Sequence, residues 1–302
     1  MKTTTRRIVL AVLILVAAAA ALAFWGAMRF KREPLASIEA FSRFSLRRAG
    51  AEARTVTAPS GEVRYFVAGE GSPVVLLHGA NDQAGLWAKT VKPLKGSYRF
   101  IVPDLPGHGE SAPDSGPLDL GMMLAAVEAV IDREAKQEPV TIVGNSMGGW
   151  VALLYAEAHP ERVRELVLEN SAGLSAPDYS GPSLLPKTRD EARAAFRATL
   201  VRTPVSDAIL DDFVRRAPTS PAARMSAAGF GPYLLDDRLG SIRVPVTLVW
   251  GENDGILPLP YANRLQEAIP GAELHTIPRC GHVPHGECSE EFVAILRKAL
   301  DS

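Results

Sequence analysis

Short apolar segments that alternate with amphipathic stretches are the feature that most constrains the fold of this chain. Four of them are apolar at nearly every position: Val74–Leu77, Thr141–Val143, Leu166–Leu168 and Val246–Trp250. Strands of a parallel sheet that is covered by helices on both faces have this character. The pattern therefore predicts an α/β fold with a mostly parallel sheet and helices on both of its faces.

We predict eight strands, bounded by changes in hydrophobic pattern and by turn sequences. They are Arg54–Ala58, Val63–Ala68, Pro73–Leu77, Phe100–Pro103, Val140–Val143, Leu166–Glu169, Val246–Trp250 and Glu273–Ile277. The first two alternate in polarity and are separated by the turn sequence Pro59-Ser60-Gly61, which predicts an antiparallel hairpin at one edge. Helices are predicted over Leu118–Ala135 and Met147–Ala158.

A helix-rich block interrupts the alternation of strands and helices in the second half of the chain. Its predicted helices are Arg189–Val201, Val205–Ala217 and Pro221–Phe230, and prolines separate them. Because strands resume after this block, it is interpreted as a helical cap at about residues 175–240, inserted into one domain of residues 54–302.

The N-terminal segment Ile8–Met28 contains no charged residue. As a helix it would be about 30 Å long, which is the thickness of the hydrocarbon core of a bilayer. Basic residues flank both ends, so residues 1–30 are predicted to be a single-pass membrane anchor of undetermined orientation. A signal peptide cleaved after Ala23, which would give a secreted or periplasmic protein, remains the alternative.

Charge is distributed unevenly along the chain. Residues 1–54 carry ten Lys/Arg and three Asp/Glu, whereas the remainder carries 23 and 31. The basic start, which includes a predicted connector at residues 31–53, favours contact with anionic lipid. The acidic main body argues against nucleic acid as a partner. The sequence leaves the oligomeric state open.

The chain has two cysteines, Cys280 and Cys288, which bracket His282. Two free thiols are the expectation, and a local disulfide is the alternative if the domain faces an oxidising compartment. No metal site and no cofactor are expected, because His282 is better explained by the role described below.

The motif Gly144-Asn145-Ser146-Met147-Gly148 lies between a predicted buried strand and a predicted helix. In this context a G-x-S-x-G sequence forms a sharp turn that projects the serine hydroxyl above the sheet. The motif therefore predicts Ser146 as a catalytic nucleophile.

A serine nucleophile needs a base, and the base needs a carboxylate that fixes its orientation. His282 follows Gly281 in the loop after the last predicted strand, and we predict that it is the base. His285 is the weaker alternative and is expected to be a solvated loop residue. Asp254, in the turn after the strand that ends at Trp250, is the predicted carboxylate, and Glu252 is the weaker alternative.

Backbone N–H groups must also stabilise the negative charge that develops on the substrate oxygen. Met147 supplies one such group at the start of its helix. The loop His78-Gly79-Ala80 follows another buried strand, and we assign the second group to Ala80.

Several motifs together resemble the α/β-hydrolase superfamily over about residues 55–300. They are His78-Gly79, Asp104–Ser111, Gly144–Gly149, Trp250–Asp254 and Gly281-His282. The resemblance implies the α/β-hydrolase fold and a serine–aspartate–histidine triad in this chain order. It also implies that Asp104 and His108 belong to a structural turn that shapes the site.

The resemblance also narrows the expected chemistry. Ser146 separates the chain from relatives that use an aspartate nucleophile, such as haloalkane dehalogenases and epoxide hydrolases. The elbow sequence is similar to that of monoacylglycerol lipases and of C–C bond hydrolases that act on ring-cleavage products. The predicted anchor more closely resembles membrane-bound relatives of monoacylglycerol lipases.

The expected function is hydrolysis of a carboxylic ester through an acyl-enzyme on Ser146. The substrate would be a monoacylglycerol or a similar lipid or short-to-medium acyl ester. Two alternatives remain open: C–C bond hydrolysis of a ring-cleavage product, and a catalytically silent, membrane-tethered binding protein.

Overall fold

A computed structural model describes the backbone of residues 2–176 and 181–301. It describes the side chains of that range other than those of residues 2–6, 8–12, 19 and 21–24. Residues 177–180 of the predicted cap and ten side chains of the apolar segment Ile8–Met28 therefore lie outside the described part of the chain.

An eight-stranded, mostly parallel sheet forms the centre of the molecule, as predicted. The strands are β1 (Glu52–Ala58), β2 (Gly61–Ala68), β3 (Ser72–Leu77), β4 (Tyr98–Pro103), β5 (Val140–Asn145), β6 (Val163–Glu169), β7 (Val246–Gly251) and β8 (Glu273–Ile277). Their order is β1-β2-β4-β3-β5-β6-β7-β8. The pairs β1/β2 and β2/β4 are antiparallel and the others are parallel, so the predicted edge hairpin is confirmed.

Helices cover both faces of the sheet. They are α1 (Lys2–Arg32), α2 (Pro34–Arg48), α3 (Ala88–Leu94), α4 (Leu120–Glu134), α5 (Met147–Ala158), α6 (Arg189–Thr199), α7 (Asp207–Arg216), α8 (Pro221–Ala228), α9 (Leu259–Ala268), α10 (Pro284–Glu287) and α11 (Ser289–Leu300). One face is buried by α4, α5 and α9, and the other by α2, α3 and α11. Helices α6, α7 and α8 lie between β6 and β7 in the chain, within the predicted cap.

Side-chain caps determine where several of these helices begin. The Asp119 carboxylate accepts the Met122 N–H at the start of α4, 2.8 Å away. Thr188 and Ser220 accept backbone N–H groups in the same way at the starts of α6 and α8. Each cap satisfies one of the N–H groups that have no partner within the first helical turn.

Helix α2 occupies the predicted connector and packs closely against the domain that contains the sheet. Leu46 is fully buried, and the Leu35 N–H donates to the buried Asp212 carboxylate of α7 at 3.0 Å. A Cβ built on Gly85, in the short helix Ala84–Trp87, would lie 2.5 Å from the Arg43 nitrogen, so the two backbones are in direct contact. The connector is therefore a packed layer of the domain, and β1 begins within its predicted range.

The cysteines depart from the prediction of two free thiols. Cys280 and Cys288 form a disulfide, and both residues are buried. The turn of α10 brings their Cα atoms to 6.2 Å from one another, which is within the range that a disulfide spans.

No helix among the described residues is both long and apolar enough to cross a membrane. The transmembrane helix predicted over Ile8–Met28 is therefore not supported by the structure.

Truncating a side chain that anchors α2 should destabilise the domain. We expect Leu46→Ala to lower the free energy of unfolding by about 3 kcal/mol, because it leaves a cavity in a fully packed site. Phe44→Ala, on the exposed side of the same helix, should change it by less than about 0.5 kcal/mol. Urea titration of both variants measures the difference, and equal effects would contradict the docking of α2.

Candidate active site

The turn between β5 and α5 places Ser146 in a strained backbone conformation, with φ of 54° and ψ of −115°. Glycines make this turn possible. A Cβ built on Gly144 would lie 2.4 Å from the Gly148 oxygen, and one built on Gly148 would lie 2.3 Å from the Leu77 oxygen. The strand–turn–helix context that the G-x-S-x-G motif requires is therefore present.

Backbone hydrogen bonds hold the strained residue in place. The Ser146 N–H donates to the Glu169 oxygen at 3.0 Å, at the adjoining end of β6. The Ser146 oxygen accepts from the N–H groups of Trp150 at 3.1 Å and Ala172 at 3.0 Å. The side chain itself is half-buried. Strain of this kind persists only where the surrounding structure over-determines it, which these contacts do.

His282 and Asp254 form a close pair. His282 Nδ1 lies 2.7 Å from Asp254 Oδ2, and the Asp254 side chain is fully buried. Asp254 Oδ1 accepts the N–H groups of Ile256 and Leu257 at 2.8 and 3.0 Å, and Oδ2 also accepts from Asn170 Nδ2 at 2.5 Å. Four hydrogen bonds fix the carboxylate, so the Nδ1–H of His282 points to it and Nε2 is left as the basic atom.

The loop of His282 is tied to the nucleophile turn and to the cap. Asn145 Nδ2 donates to the His282 oxygen at 3.0 Å, and the His282 N–H donates to the Thr199 oxygen at the end of α6, 2.8 Å away. No hydrogen bond joins Ser146 Oγ to His282 among the described residues. Such bonds are often long in unliganded enzymes and tighten when substrate binds.

The two alternative residues occupy other environments. Glu252 is exposed and accepts a hydrogen bond from Thr276 Oγ1 at 2.9 Å. The prediction that His285 is solvated is wrong, because its side chain is fully buried. It lies 2.7 Å from Glu169 Oε2 and stacks on the Trp87 ring, and these two contacts withdraw it from the loop surface.

The two predicted oxyanion donors belong to peptides close to Ser146. Met147 is the first residue of α5, where backbone N–H groups have no partner within the helix. The loop of Ala80 approaches the turn closely: a Cβ built on Gly79 would lie 3.3 Å from Ser146 Cβ and 2.8 Å from Asn145 Oδ1. Both peptides are therefore adjacent to the nucleophile.

His78 supports the loop that carries Ala80. Its Nε2 accepts the Leu105 N–H at 2.9 Å, so the proton is on Nδ1, which donates to the Gly79 oxygen at 2.8 Å. Burial holds the pKa of His78 well below its usual value, which keeps the imidazole neutral. The sequence indicated only that His78 follows a strand. Its supporting role depends on the hydrogen bond from Leu105, which is 27 positions away in the chain.

Asp104 and His108 lie in the turn that the resemblance described as structural. The Asp104 carboxylate accepts the N–H groups of Ala84 and Glu110 at 2.8 and 2.9 Å, and so joins two loops. Burial raises the pKa of Asp104 to about 6 and lowers that of His108 to about 4. Neither side chain contacts Ser146, His282 or Asp254 through a hydrogen bond among the described residues.

Glu169 and Asn170, which the sequence analysis did not single out, take part in the site. Asn170 Nδ2 binds the Asp254 carboxylate, and the Glu169 backbone holds Ser146. One signal could have identified them: they are consecutive polar residues at the carboxyl end of a buried parallel strand, where sites of such sheets form.

Comparison with known proteins agrees with this geometry. The sequence profile described as the alpha/beta hydrolase family matches residues 74–295. The chain is 31% identical over 265 residues to 2-hydroxy-6-oxononadienedioate/2-hydroxy-6-oxononatrienedioate hydrolase of Cupriavidus pinatubonensis, a match that covers 79% of this chain and 92% of that protein. It is 29% identical over 252 residues to 2-hydroxy-6-oxo-6-phenylhexa-2,4-dienoate hydrolase of Comamonas testosteroni, covering 76% and 88%.

Among solved structures, a membrane phospholipase A described as a bacterial virulence factor superposes with a TM-score of 0.77 and 25% identity. The match covers 98% of each chain. With a family profile that matches most of the chain, a strained serine between strand and helix and a buried histidine–aspartate pair beside it, this chain belongs to the alpha/beta hydrolase family.

Proposed function

We propose that the protein is a serine hydrolase that cleaves a carboxylic ester of a lipid. The observation that carries the proposal is the His282–Asp254 pair, 2.7 Å apart, whose loop is hydrogen-bonded to the turn that presents Ser146. Acyl transfer requires a nucleophile, an oriented base and backbone donors for the oxyanion. We assign these roles to Ser146, to His282 with Asp254, and to the N–H groups of Ala80 and Met147.

The reaction proceeds in two steps. Ser146 Oγ attacks the ester carbonyl while His282 Nε2 takes its proton, and the Asp254 carboxylate stabilises the imidazolium. The N–H groups of Ala80 and Met147 stabilise the negative charge on the carbonyl oxygen. His282 then gives the proton to the departing alcohol, which leaves an acyl-enzyme. In the second step, water gives a proton to His282, attacks the acyl carbon and releases the carboxylic acid, and the proton returns to Ser146.

The surface of α2 supports a lipid substrate. Its outer face consists of Ile38, Phe41, Phe44, Arg47 and Arg48, all of them exposed, with Phe41 at 69% and Phe44 at 58%. An apolar row beside cations is typical of a helix that lies in the headgroup region of an anionic membrane. The match to a membrane phospholipase A, which extends over the N-terminal helices, supports the same interpretation. We therefore propose that the outer face of α2 contacts the membrane next to the predicted anchor.

The disulfide supports a location of the catalytic domain outside the cytosol. Disulfides persist in oxidising compartments and are rare in the cytosol. The Cys280–Cys288 bond therefore favours a domain on the periplasmic or outer side of the membrane, held by residues 8–28 or released by cleavage.

C–C bond hydrolysis is the second candidate. The chain is 29–31% identical to hydrolases of 2-hydroxy-6-oxo dienoates, and this chemistry can use the same three side chains. A direct comparison of a monoacylglycerol series with a ring-cleavage product, on purified protein, separates the two candidates. Faster turnover of the ring-cleavage product would overturn the ester proposal.

Removing the nucleophile should abolish activity. We expect Ser146→Ala to lower kcat on p-nitrophenyl butyrate by at least about 10⁴-fold and to eliminate labelling by a fluorophosphonate probe, because the proposed acyl-enzyme forms on Ser146 Oγ. Circular dichroism and the Tm serve as folding controls. Native turnover in Ser146→Ala, or a folded wild type that the probe does not label, would contradict the mechanism and favour a catalytically silent binding protein.

Amide substitutions of Asp254 and Glu252, the two acidic residues in the loop after β7, form a matched pair of variants. Asp254→Asn should lower kcat by about 10⁴-fold, because an amide neither selects the productive tautomer of His282 nor stabilises its imidazolium. Glu252→Gln should remain within about twofold of the wild type, since the Glu252 side chain is exposed and its carboxylate accepts a hydrogen bond from Thr276 Oγ1, away from His282. Steady-state kinetics on one ester distinguish them, and a larger loss in Glu252→Gln would reverse the assignment.

The outer face of α2 should matter only for substrate in a membrane. In the full-length protein, Phe41→Ser/Phe44→Ser should lower hydrolysis of a monoacylglycerol in phosphatidylglycerol vesicles by about tenfold, because apolar area is lost from the interface. Hydrolysis of soluble p-nitrophenyl butyrate should not change. Val201→Ser, at an exposed apolar residue of the cap, is the control. An equal loss on both substrates would argue against membrane contact by this face.

A further inference from the structure

A second histidine–carboxylate pair lies beside the first and is closed off from solvent. His285 Nδ1 lies 2.7 Å from Glu169 Oε2, the same separation as between His282 and Asp254. The His285 N–H also donates to Glu169 Oε1, at 2.5 Å. Both side chains are fully buried, so neither can touch a substrate, and any role in catalysis must act through other residues.

Glu169 is the residue at which the parts of the candidate site meet. Its backbone oxygen accepts the Ser146 N–H at 3.0 Å and Asn145 Nδ2 at 3.3 Å. The next residue, Asn170, donates to the Asp254 carboxylate. The side chain of Glu169 holds His285, three residues after the base. The short segment Glu169-Asn170 therefore contacts the nucleophile and the catalytic carboxylate directly, and reaches the loop of the histidine through one ion pair.

Charges around His285 favour an ion pair. Burial alone disfavours the imidazolium, but the charge of Glu169 and its hydrogen bond outweigh this effect, and the pKa of His285 is raised. Asp82, in the loop after β3, raises it further, whereas Lys89 of α3 acts in the opposite direction. Burial also raises the pKa of Asp82, to about 7, and the positive charge of His285 partly offsets that rise.

Other contacts also restrain this loop, and His282 itself is held by Asn145 Nδ2 and by the Thr199 oxygen. The Cys280–Cys288 disulfide closes the loop, and Glu287 Oε2 accepts the Gly281 N–H at 3.0 Å. Inside the loop, the ring of His285 stacks on Trp87 with centroids 3.9 Å apart. Both carboxylate oxygens of Glu169 bind His285, and this contact links the interior of the loop to the end of β6, whereas the bond from Asn145 Nδ2 to the His282 oxygen links it to the end of β5.

We propose that the Glu169–His285 pair positions His282 against Ser146, by tying the loop of the base to the strand end that also holds the nucleophile. Both residues are positioning residues and neither is catalytic. This inference rests on the proposed roles of Ser146 and His282. A displacement of about 1 Å between reacting groups can lower a rate about 100-fold, so loss of the pair should appear in kcat more than in KM.

The test compares two substitutions of His285 in the full-length protein. His285→Ala removes the side-chain donor, and kcat on p-nitrophenyl butyrate should fall about 100-fold while KM changes by less than threefold. His285→Asn keeps an N–H donor facing Glu169, and kcat should return to within about tenfold of the wild type. The rate of fluorophosphonate labelling at Ser146 should follow kcat in both variants, because it depends on the same alignment of base and nucleophile.

Glu169→Gln is the second variant and carries the test if His285→Ala does not fold. It preserves the shape of the side chain and removes its charge, and we expect kcat and labelling to fall about tenfold at unchanged KM. His159→Asn is the matched control. It removes the partly exposed His159–Glu128 pair, 2.8 Å apart, at the opposite end of α5 and should leave both rates unchanged.

Three outcomes are informative. A folded Glu169→Gln protein with native kcat and native labelling would overturn the positioning role. So would a loss in His285→Asn as large as in His285→Ala, since the restored donor would then have no effect. A wild-type protein that the probe does not label would instead refute the proposed function, so the two failures are distinguishable.

Discussion

The hydrogen bond from the Ser146 amide to the Glu169 oxygen is the contact on which the rest of the site depends. Parallel strands end at the same edge of a sheet, and this bond joins β5 to β6 at the point where the chain turns into α5. Ser146 is in a conformation that costs about 1–3 kcal/mol, and the cost is sustained only if the neighbouring backbone cannot relax. The close backbone contacts of Gly144 and Gly148 leave no space for such relaxation.

Around this edge, buried polar groups are joined by hydrogen bonds between neighbouring strand ends. The Asp254 carboxylate accepts from Asn170 after β6 and from the backbone of its own turn, and Asn145 at the end of β5 donates to the His282 oxygen. In a low-dielectric environment such bonds are strong, and an unpaired partner is costly. The network therefore favours one arrangement of the four strand ends β5 to β8, and this arrangement preorganises the site.

The parts of the fold that could be predicted are those encoded over short stretches of sequence. The apolar runs identify the strands, Pro59-Ser60-Gly61 identifies the hairpin, and the position of Ser146 between a strand and a helix identifies the elbow. The environment of His285 could not be read in this way, because it depends on Trp87 and on Glu169, which is 116 positions away. The disulfide could not be predicted from the sequence for a similar reason. The local spacing of Cys280 and Cys288 allows a bond, but only the folded turn aligns the two side chains.

The cap and α2 also restrain the catalytic loops, from outside the sheet. The last turn of α6 supplies two backbone acceptors to the catalytic loops: the Thr199 oxygen binds the His282 N–H, and the Ala198 oxygen binds the Gly255 N–H next to Asp254. Helix α6 packs on α7 through an edge-to-face aromatic contact between Phe196 and Phe213.

Helix α7 in turn holds the start of α2, through the bond from Leu35 to the buried Asp212. A continuous series of packed contacts thus runs from α2, which carries the outer face, through α7 and α6 of the cap to the loops of His282 and Asp254. The orientation of the catalytic loops relative to the outer face of α2 is therefore determined by packing, since each junction along this path is buried or hydrogen-bonded.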